Sequence, residues 1–352
     1  MSKFITCTIA NIRTETADTI SIAINVPLAS APLFKFIQGQ YITFKLHING
    51  EEVRRSYSIC SGVNDGEIRV AVKRVGGGKG SNYMIDTFKV NDTVEVMPPT
   101  GNFYSVLSAS NSKHYVLFAG GSGITPMLSI IKSVLVTEPN STLTLVYGNR
   151  DEQSVVFNAE LTALQANNNN KLKVINVLEN STDTVFGGRL DKAKNKLLFS
   201  NNTLSTNANN IYFICGPTPM MDAVRETLED LNVDKKTIHI EYFSAPVDVT
   251  PVVKSDVSVD ANVTVILDGD EFTIKLRANQ TVLEAVLNAG YDAPYACQGG
   301  SCCTCRALLT EGAADMITNY ALLEDEVQQG YVLTCQCIAK TPTLTINYDR
   351  GN

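Results

Sequence analysis

The first hundred residues alternate apolar and polar side chains in short stretches. After an opening run from Met1 to Ala10 come Ile20-Ser-Ile-Ala-Ile-Asn-Val26, Tyr41 to Ile48, Glu67 to Val75 and Thr93 to Met97. A period of two sends successive side chains to opposite faces of a strand. The pairs Asn49-Gly50 and Asp65-Gly66 separate such runs as turns. Many short strands with turns of this kind predict a small antiparallel β-barrel over residues 1–108. From 109 to 243 the pattern changes. Tyr115–Ala119, Leu143–Tyr147, Leu172–Leu178 and Ile211–Cys215 are continuous apolar runs, and helical periodicity falls between several of them, as near Met127–Val136 and Met220–Leu231. Strand–helix alternation predicts an α/β domain with a parallel sheet. Asn167–Asn170 and Ser200–Asn210 read as surface loops.

Residues 244–260 lack periodicity and carry Pro246 and Pro251, which predicts a semi-extended linker. The last segment, 261–352, opens with a hairpin, Val263–Leu267 and Phe272–Leu276 around Asp268-Gly269. A helix should follow, with Thr281 and Glu284 spaced as a capping box, an apolar face of Val282, Leu283, Val286 and Leu287, and Gly290 as its stop. A cysteine loop and late strands complete a compact α+β unit. The 352 residues therefore read as a multi-domain chain.

Composition narrows the class. A charged fraction of 18% and an apolar fraction of 44% exclude disordered and collagen-like chains. No run of eighteen apolar residues is present, so no membrane span is expected. The N-terminus lacks the apolar core of a signal peptide, which predicts a cytoplasmic protein. Nine cysteines without a secretory signal point to thiol, metal or redox chemistry, and six of them lie between Cys297 and Cys337. From Ala261 to Asn352 eleven acids face five bases, a net −6, while the first 247 residues are close to neutral. That asymmetry disfavours nucleic acid and suits a basic protein partner, though a merely soluble acidic surface would look the same.

Cys297-x4-Cys302-x2-Cys305 followed by Cys335 has the spacing of a plant-type [2Fe–2S] site. Three thiolates come from one tight loop, and Gln298-Gly-Gly-Ser301 supplies small residues where backbone passes close to inorganic sulfide. Cys335 is expected on a strand, Val332–Cys335. The rival is structural zinc on Cys302, Cys305, Cys335 and Cys337, which leaves Cys297 and the glycines without a role. On the cluster reading Cys303 and Cys337 are bystanders, and Cys7 and Cys60 have no evident role. From about Val263 to Tyr348 the segment resembles the plant-type ferredoxins of β-grasp fold, and in that family the corresponding four cysteines hold the cluster.

A cluster moves one electron at a time, whereas NAD(P)H gives up two, so a flavin is the expected intermediary. Arg55-Ser56-Tyr57-Ser58 ends a predicted strand, and the loop Gly76-Gly-Gly-Lys79-Gly80-Ser81-Asn82 follows another. An aromatic face, hydroxyls, a guanidinium and clustered backbone donors suit a flavin and its pyrophosphate. Singly, each reads as well as a strand edge or a turn. Tyr115–Ala119 runs into Gly120-Gly-Ser-Gly-Ile-Thr-Pro126, where glycines and a helix N-terminus suit phosphate, with Thr125 as N-cap and Pro126 at the first helical position. Ile214-Cys215-Gly216-Pro217 repeats the strand-to-helix logic, although Cys215 is equally readable as a small buried residue.

In their order and spacing these motifs, with Pro99-Thr-Gly101-Asn-Phe103, resemble the ferredoxin–NADP reductase family, in which an FAD-binding barrel precedes a nucleotide domain. The resemblance implies FAD on Arg55, Ser56, Tyr57, Ser58, Gly80 and Ser81, NAD(P)H on Gly120, Gly121, Gly123, Thr125, Cys215, Gly216 and Pro217, and a further cofactor contact at Lys73. It implies that Ser58, Cys215 and Glu241 meet where nicotinamide meets flavin. Arg150 is available for a 2′-phosphate, which leans the cofactor towards NADPH; Leu178-Glu179-Asn180 offers no second cation.

The whole chain is similar to the reductase components of multicomponent oxygenases, in particular those serving phenylacetate degradation. The implied activity is NAD(P)H-dependent electron transfer through FAD and [2Fe–2S] to an oxygenase or other one-electron acceptor protein. A ketosteroid hydroxylase, a hybrid-cluster protein or a sensing role without turnover are the alternatives.

Overall fold

The computed structural model describes residues 4–243 and 258–351. The linker expected over 244–260 lies outside the described residues as far as 257. Residues 258–260 pack on the last domain, where Ser258 Oγ and Asp260 Oδ1 accept from the backbone N–H groups of Asn279 and Ala278.

Six antiparallel strands form the first sheet: β1 (Ile5–Thr16), β2 (Thr19–Asn25), β3 (Tyr41–Ile48), β4 (Glu51–Ser58), β5 (Ile68–Lys73) and β6 (Thr93–Thr100), in the order β4-β3-β6-β1-β2-β5. Its two edges meet through a single bridge between Ile59 and Val70 and the bond from Cys60 N–H to Arg69 carbonyl, which closes the sheet into a barrel. Inward positions fill it with Ile9, Ile22, Ile42, Phe44, Val70, Val72 and Val96, all without solvent exposure. The alternation read from the sequence is this core.

Helix α1 (Lys79–Thr87) corrects one expectation. Gly76–Asn82 is not all loop: Gly80, Ser81 and Asn82 lie in its first turns. Poor helix formers open it, so local preference gave no signal. The helix is held from a distance, by Met84 fully buried in the barrel core.

The second sheet is wholly parallel: β7 (His114–Gly120), β8 (Thr142–Asn149), β9 (Leu172–Leu178), β10 (Asn210–Cys215) and β11 (Ile238–Glu241), ordered β11-β10-β7-β8-β9. Helices α2 (Ile124–Thr137), α3 (Asn158–Asn167), α4 (Lys192–Ser200) and α5 (Thr218–Asp230) connect it. Tyr115 to Ala119 are buried on both faces, as the unbroken apolar run requires. The strand order reverses between β7 and β10, where an open α/β sheet leaves a crevice for ligands. Thr125 is not the N-cap of α2. Gly121–Gly123 make a 3₁₀ turn that leads directly into the helix, so Thr125 is already helical and its hydroxyl donates to Ser122 carbonyl at 3.0 Å.

Barrel and nucleotide domain share a core in which Cys60, Ala71 and Phe103 pack among Tyr115, Ile130, Ile131 and Phe213. Lys132 bridges Asp65 (2.5 Å) and Glu160 (2.7 Å) across the same seam.

The last sheet joins β12 (Ala261–Leu267), β13 (Asp270–Leu276), β14 (Arg306–Glu311), β16 (Tyr331–Leu333) and β18 (Thr343–Asn347) in the order β13-β12-β18-β14-β16, with β12 and β18 parallel. A small ribbon pairs β15 (Ala314–Met316) with β17 (Cys337–Ala339). Helix α6 (Val282–Asn288) packs on the sheet with its capping box in place: Thr281 Oγ1 accepts from Glu284 N–H, and Glu284 Oε2 accepts from Thr281 N–H. A short α7 (Glu324–Gln328) precedes β16. Nearly all apolar burial here is internal to residues 259–348. Among the described residues no helix is long and apolar enough to cross a membrane.

Candidate functional site

The cysteine loop lies between α6 and β14. Cys302, Cys305 and Cys335 are buried, and Cys297 is open towards an adjoining cavity. Cys335 corrects a second expectation: β16 ends at Leu333, and Cys335 sits in the turn before β17, where Gln336 N–H bonds Leu333 carbonyl at 2.8 Å. The turn swings the thiol out of the sheet and towards the loop.

Cys302 Sγ lies 3.1 Å from Cys297 Sγ, and Gly299 N–H donates to Cys297 Sγ at 3.4 Å. The Cys297 thiol is driven well below its ordinary range by donation from Cys302, then from Cys335, while Cys302 and Cys335 are pushed up chiefly by bonding to Cys297. Four sulfurs this close cannot all be thiolates without positive charge between them, and irons supply it. A two-iron cluster asks for two thiolates per iron, which the four cysteines supply. Cys303 and Cys337 are buried beside the loop, with Cys303 Sγ on Ala321 carbonyl. Cys7 packs in the barrel core and Cys60 in the shared seam.

A cavity of about 340 Å³ opens next to Cys297. Arg54, Arg55, Ser56, Ser58, Glu241, Tyr242 and Phe243 wall one side, and Ala296, Cys297 and Cys302 the other. Ser58 Oγ donates to Glu241 Oε2 at 3.1 Å, joining the end of β4 to the end of β11 across two domains. Loss of solvent lifts the Glu241 carboxyl to about 8, and the Ser58 bond opposes the shift. Cys215 stands directly across the sheet from Glu241, fully buried, and burial holds its thiol well above the ordinary value, so it stays neutral.

Tyr57 is not brought into this wall. Strand alternation turns it away from Ser56 and Ser58, and its ring meets Phe44 edge-on at 5.9 Å. Gly80 and Ser81 sit at the N-terminus of α1, where a Cβ on Gly80 would come within 2.8 Å of Arg55 Cγ. A side chain there would displace the arginine stem. The Arg55 stem thus packs on the start of α1, and a guanidinium with helix N–H groups is a donor set suited to pyrophosphate.

A second cavity, of about 450 Å³, occupies the strand-order reversal. Lys73, Gly120, Gly121, Arg150, Ser154, Arg189, Pro217 and Met220 are among its walls. Gly123 and Gly216 serve packing as much as any ligand. A Cβ on Gly123 would land on the Cys215 carbonyl, and one on Gly216 would sit 2.9 Å from Gly120 N. The two strand-to-helix turns therefore touch backbone to backbone. Arg189, which the sequence reading missed, stands at this mouth paired with Glu179 at 3.1 Å, and Arg150 bonds Ser154 Oγ at 3.1 Å. Nothing local marks Arg189, because its loop approaches Arg150 only through the sheet.

Comparison with known proteins matches three family models in this order: an oxidoreductase FAD-binding domain over residues 6–104, an oxidoreductase NAD-binding domain over 117–226, and a 2Fe-2S iron-sulfur cluster binding domain over 265–340. The chain is 39% identical to a subunit of the 1,2-phenylacetyl-CoA epoxidase of Escherichia coli strain K12, over 99% of each chain. The chain belongs to this family of oxygenase reductases. A second relative, the ferredoxin reductase component of 3-ketosteroid-9-alpha-monooxygenase from Rhodococcus rhodochrous, is 34% identical over 99% of this chain and 97% of that protein. Among solved structures, phthalate dioxygenase reductase superposes with a TM-score of 0.61 at 27% identity, covering 98% of both chains. The reductase is thus a multi-domain oxidoreductase that uses FAD, a nicotinamide nucleotide and a [2Fe–2S] cluster.

Proposed function

We propose that this reductase draws electrons from NADPH and delivers them singly to the oxygenase component of a phenylacetyl-CoA epoxidase. The observation that carries this reading is the cavity walled on one side by the Arg55–Ser58 motif and on the other by the cluster loop. A flavin there would stand against Cys297 and Cys302. When bound, the flavin supplies the exchange between the two-electron chemistry of nicotinamide and the one-electron chemistry of the cluster.

The roles of the chain's own residues follow from chemistry and position. Ser58 donates a hydrogen bond from its hydroxyl to Glu241, and the buried carboxyl keeps a proton of its own at neutral pH, so the pair would offer a bound flavin a hydroxyl and a neutral acid. Cys215, buried and neutral, backs Glu241 from the neighbouring strand. Arg55, Ser56, Ser58, Gly80 and Ser81 bind and orient the FAD, with Tyr57 supporting the strand from its other face. Lys73, Gly120, Gly121, Gly123, Thr125, Gly216 and Pro217 shape the nucleotide path. Cys297, Cys302, Cys305 and Cys335 ligate the cluster. Arg150, Ser154 and Arg189 form the 2′-phosphate end, which favours NADPH over NADH. The divisions 1–108, 109–243, 244–260 and 261–352 follow the three functional units. Nine cysteines, none of them in a disulfide, suit the reducing cytoplasm.

The epoxidase acceptor is drawn from the name of the 39% relative, and a ketosteroid monooxygenase is the second reading because the 34% relative also spans the chain. The test is anaerobic titration of the purified protein with NADPH and with NADH, followed by reconstitution with each oxygenase. Bleaching of flavin and cluster and turnover with the epoxidase oxygenase are expected. Turnover with only the ketosteroid oxygenase would overturn the acceptor assignment, and a colourless protein would overturn the reading altogether.

A further inference from the structure

Tyr41 is a barrel residue whose side-chain hydrogen bonds both lie in another domain. It opens β3, pairs with Ser58 on β4, and is 6% exposed. Its Oη accepts from Cys303 N–H at 3.0 Å and shares a bond with Thr304 Oγ1 at 3.1 Å. Its ring packs on Ala296 and Cys302. One phenol thus touches the residue just before Cys297, the ligand Cys302, and both residues between Cys302 and Cys305. A phenylalanine would fill the same space, so packing does not account for the hydroxyl. What the hydroxyl adds is satisfaction of two buried polar groups on the cluster loop, and it can do so only while the loop is seated on the barrel.

Arg54 fixes the other end of the loop. Its Nη2 meets Asp292 Oδ1 at 2.6 Å, and its guanidinium stacks 4.1 Å from the Tyr295 ring. The apolar core of the last domain is otherwise its own, so the placing of its loop on the barrel depends on a few directional contacts. We infer that Tyr41 is a positioning residue that registers the cluster loop against the flavin cavity, with Arg54 and Asp292 as the second point of the seat. The inference rests on the reading of that cavity as the flavin site. The transfer it serves moves one electron from flavin to cluster and neither makes nor breaks a covalent bond.

The test uses the full-length protein with flavin and cluster bound. In rapid anaerobic mixing with NADPH, Tyr41→Phe should slow cluster reduction about tenfold relative to flavin reduction in the same trace, the expected loss for two hydrogen bonds. Thr304→Val, made on the opposite domain, removes the bond to Tyr41 together with the hydroxyl's bond to Cys302 and should slow it at least about threefold. Asp292→Asn should leave flavin reduction unchanged and slow cluster reduction. In dithionite-reduced protein the electron paramagnetic resonance line shape of Tyr41→Phe should differ from wild type, because the Cys303 amide has changed partner beside the cluster. Wild-type cluster reduction in both hydroxyl variants with an unaltered line shape would overturn the inference while leaving the flavin and cluster assignments standing. If Tyr41→Phe does not retain flavin, the Asp292→Asn rates decide, and wild-type cluster reduction in that variant would overturn the inference. Failure of both NADPH and NADH to bleach the wild-type flavin would overturn both readings.

Discussion

Glu241 shows how one residue's surroundings set its chemistry. A carboxyl held at about 8 in the folded chain and near 4.5 when unfolded takes up a proton on folding throughout that interval. Its contribution to stability is fully present below about 4.5 and is lost as pH rises through about 8. Thermal melting against pH should therefore fall across this window, and Glu241→Gln should flatten that part of the profile; parallel profiles would refute the raised carboxyl. At the other cavity, Arg150 and Arg189 predict selectivity. Replacing either with alanine should raise the KM for NADPH about tenfold while sparing NADH, as loss of one charge-assisted phosphate contact requires. Steady-state kinetics with both nucleotides measures it.

Elements owe their positions to polar residues as well as to apolar faces. Glu138, at the end of α2, is wholly buried yet accepts from Ser108 N–H, Asn111 Nδ2, Tyr115 Oη and Ser141 Oγ. It ties the segment after β6 to the start of β7, the hinge between barrel and nucleotide sheet. Glu138→Gln turns an acceptor into a donor among donors and should cost about 3 kcal/mol in denaturant unfolding. At α6 the capping box makes a smaller prediction: Thr281→Ala should destabilise the last domain by about 1 kcal/mol. The capping box was legible because its bonds join residues three apart. The start of α2 was not, because the 3₁₀ turn through Gly121–Gly123 is set by contact with the Cys215 loop, remote in sequence.

For the whole molecule, the distribution of cores matters most. Barrel and nucleotide sheet share apolar packing through Cys60, Ala71 and Phe103, whereas the last domain meets them through a small patch and a few polar contacts. Unfolding should not be a single two-state event. Removing iron by acid or chelation should melt the last domain first, since its four sulfurs lose the charge that holds them together. The remaining two domains should still pass electrons from NADPH to a small dye. Calorimetry and dye reduction before and after iron removal check this, and loss of both at one temperature would contradict it.

Patterns that need only neighbours were open to reading from the chain alone. The alternation of the barrel strands, the buried runs of the parallel sheet, the spacing of Cys297, Cys302 and Cys305, and the α6 capping box all lie within a few residues, where backbone geometry dictates the outcome. Tertiary structure alone decided the rest. It set Arg189 at the same cavity mouth as Arg150, and brought Tyr41 and Arg54 onto the cluster loop. Each of these is a contact between segments far apart in sequence, and such contacts are chosen by how whole domains pack, which leaves no local periodicity behind.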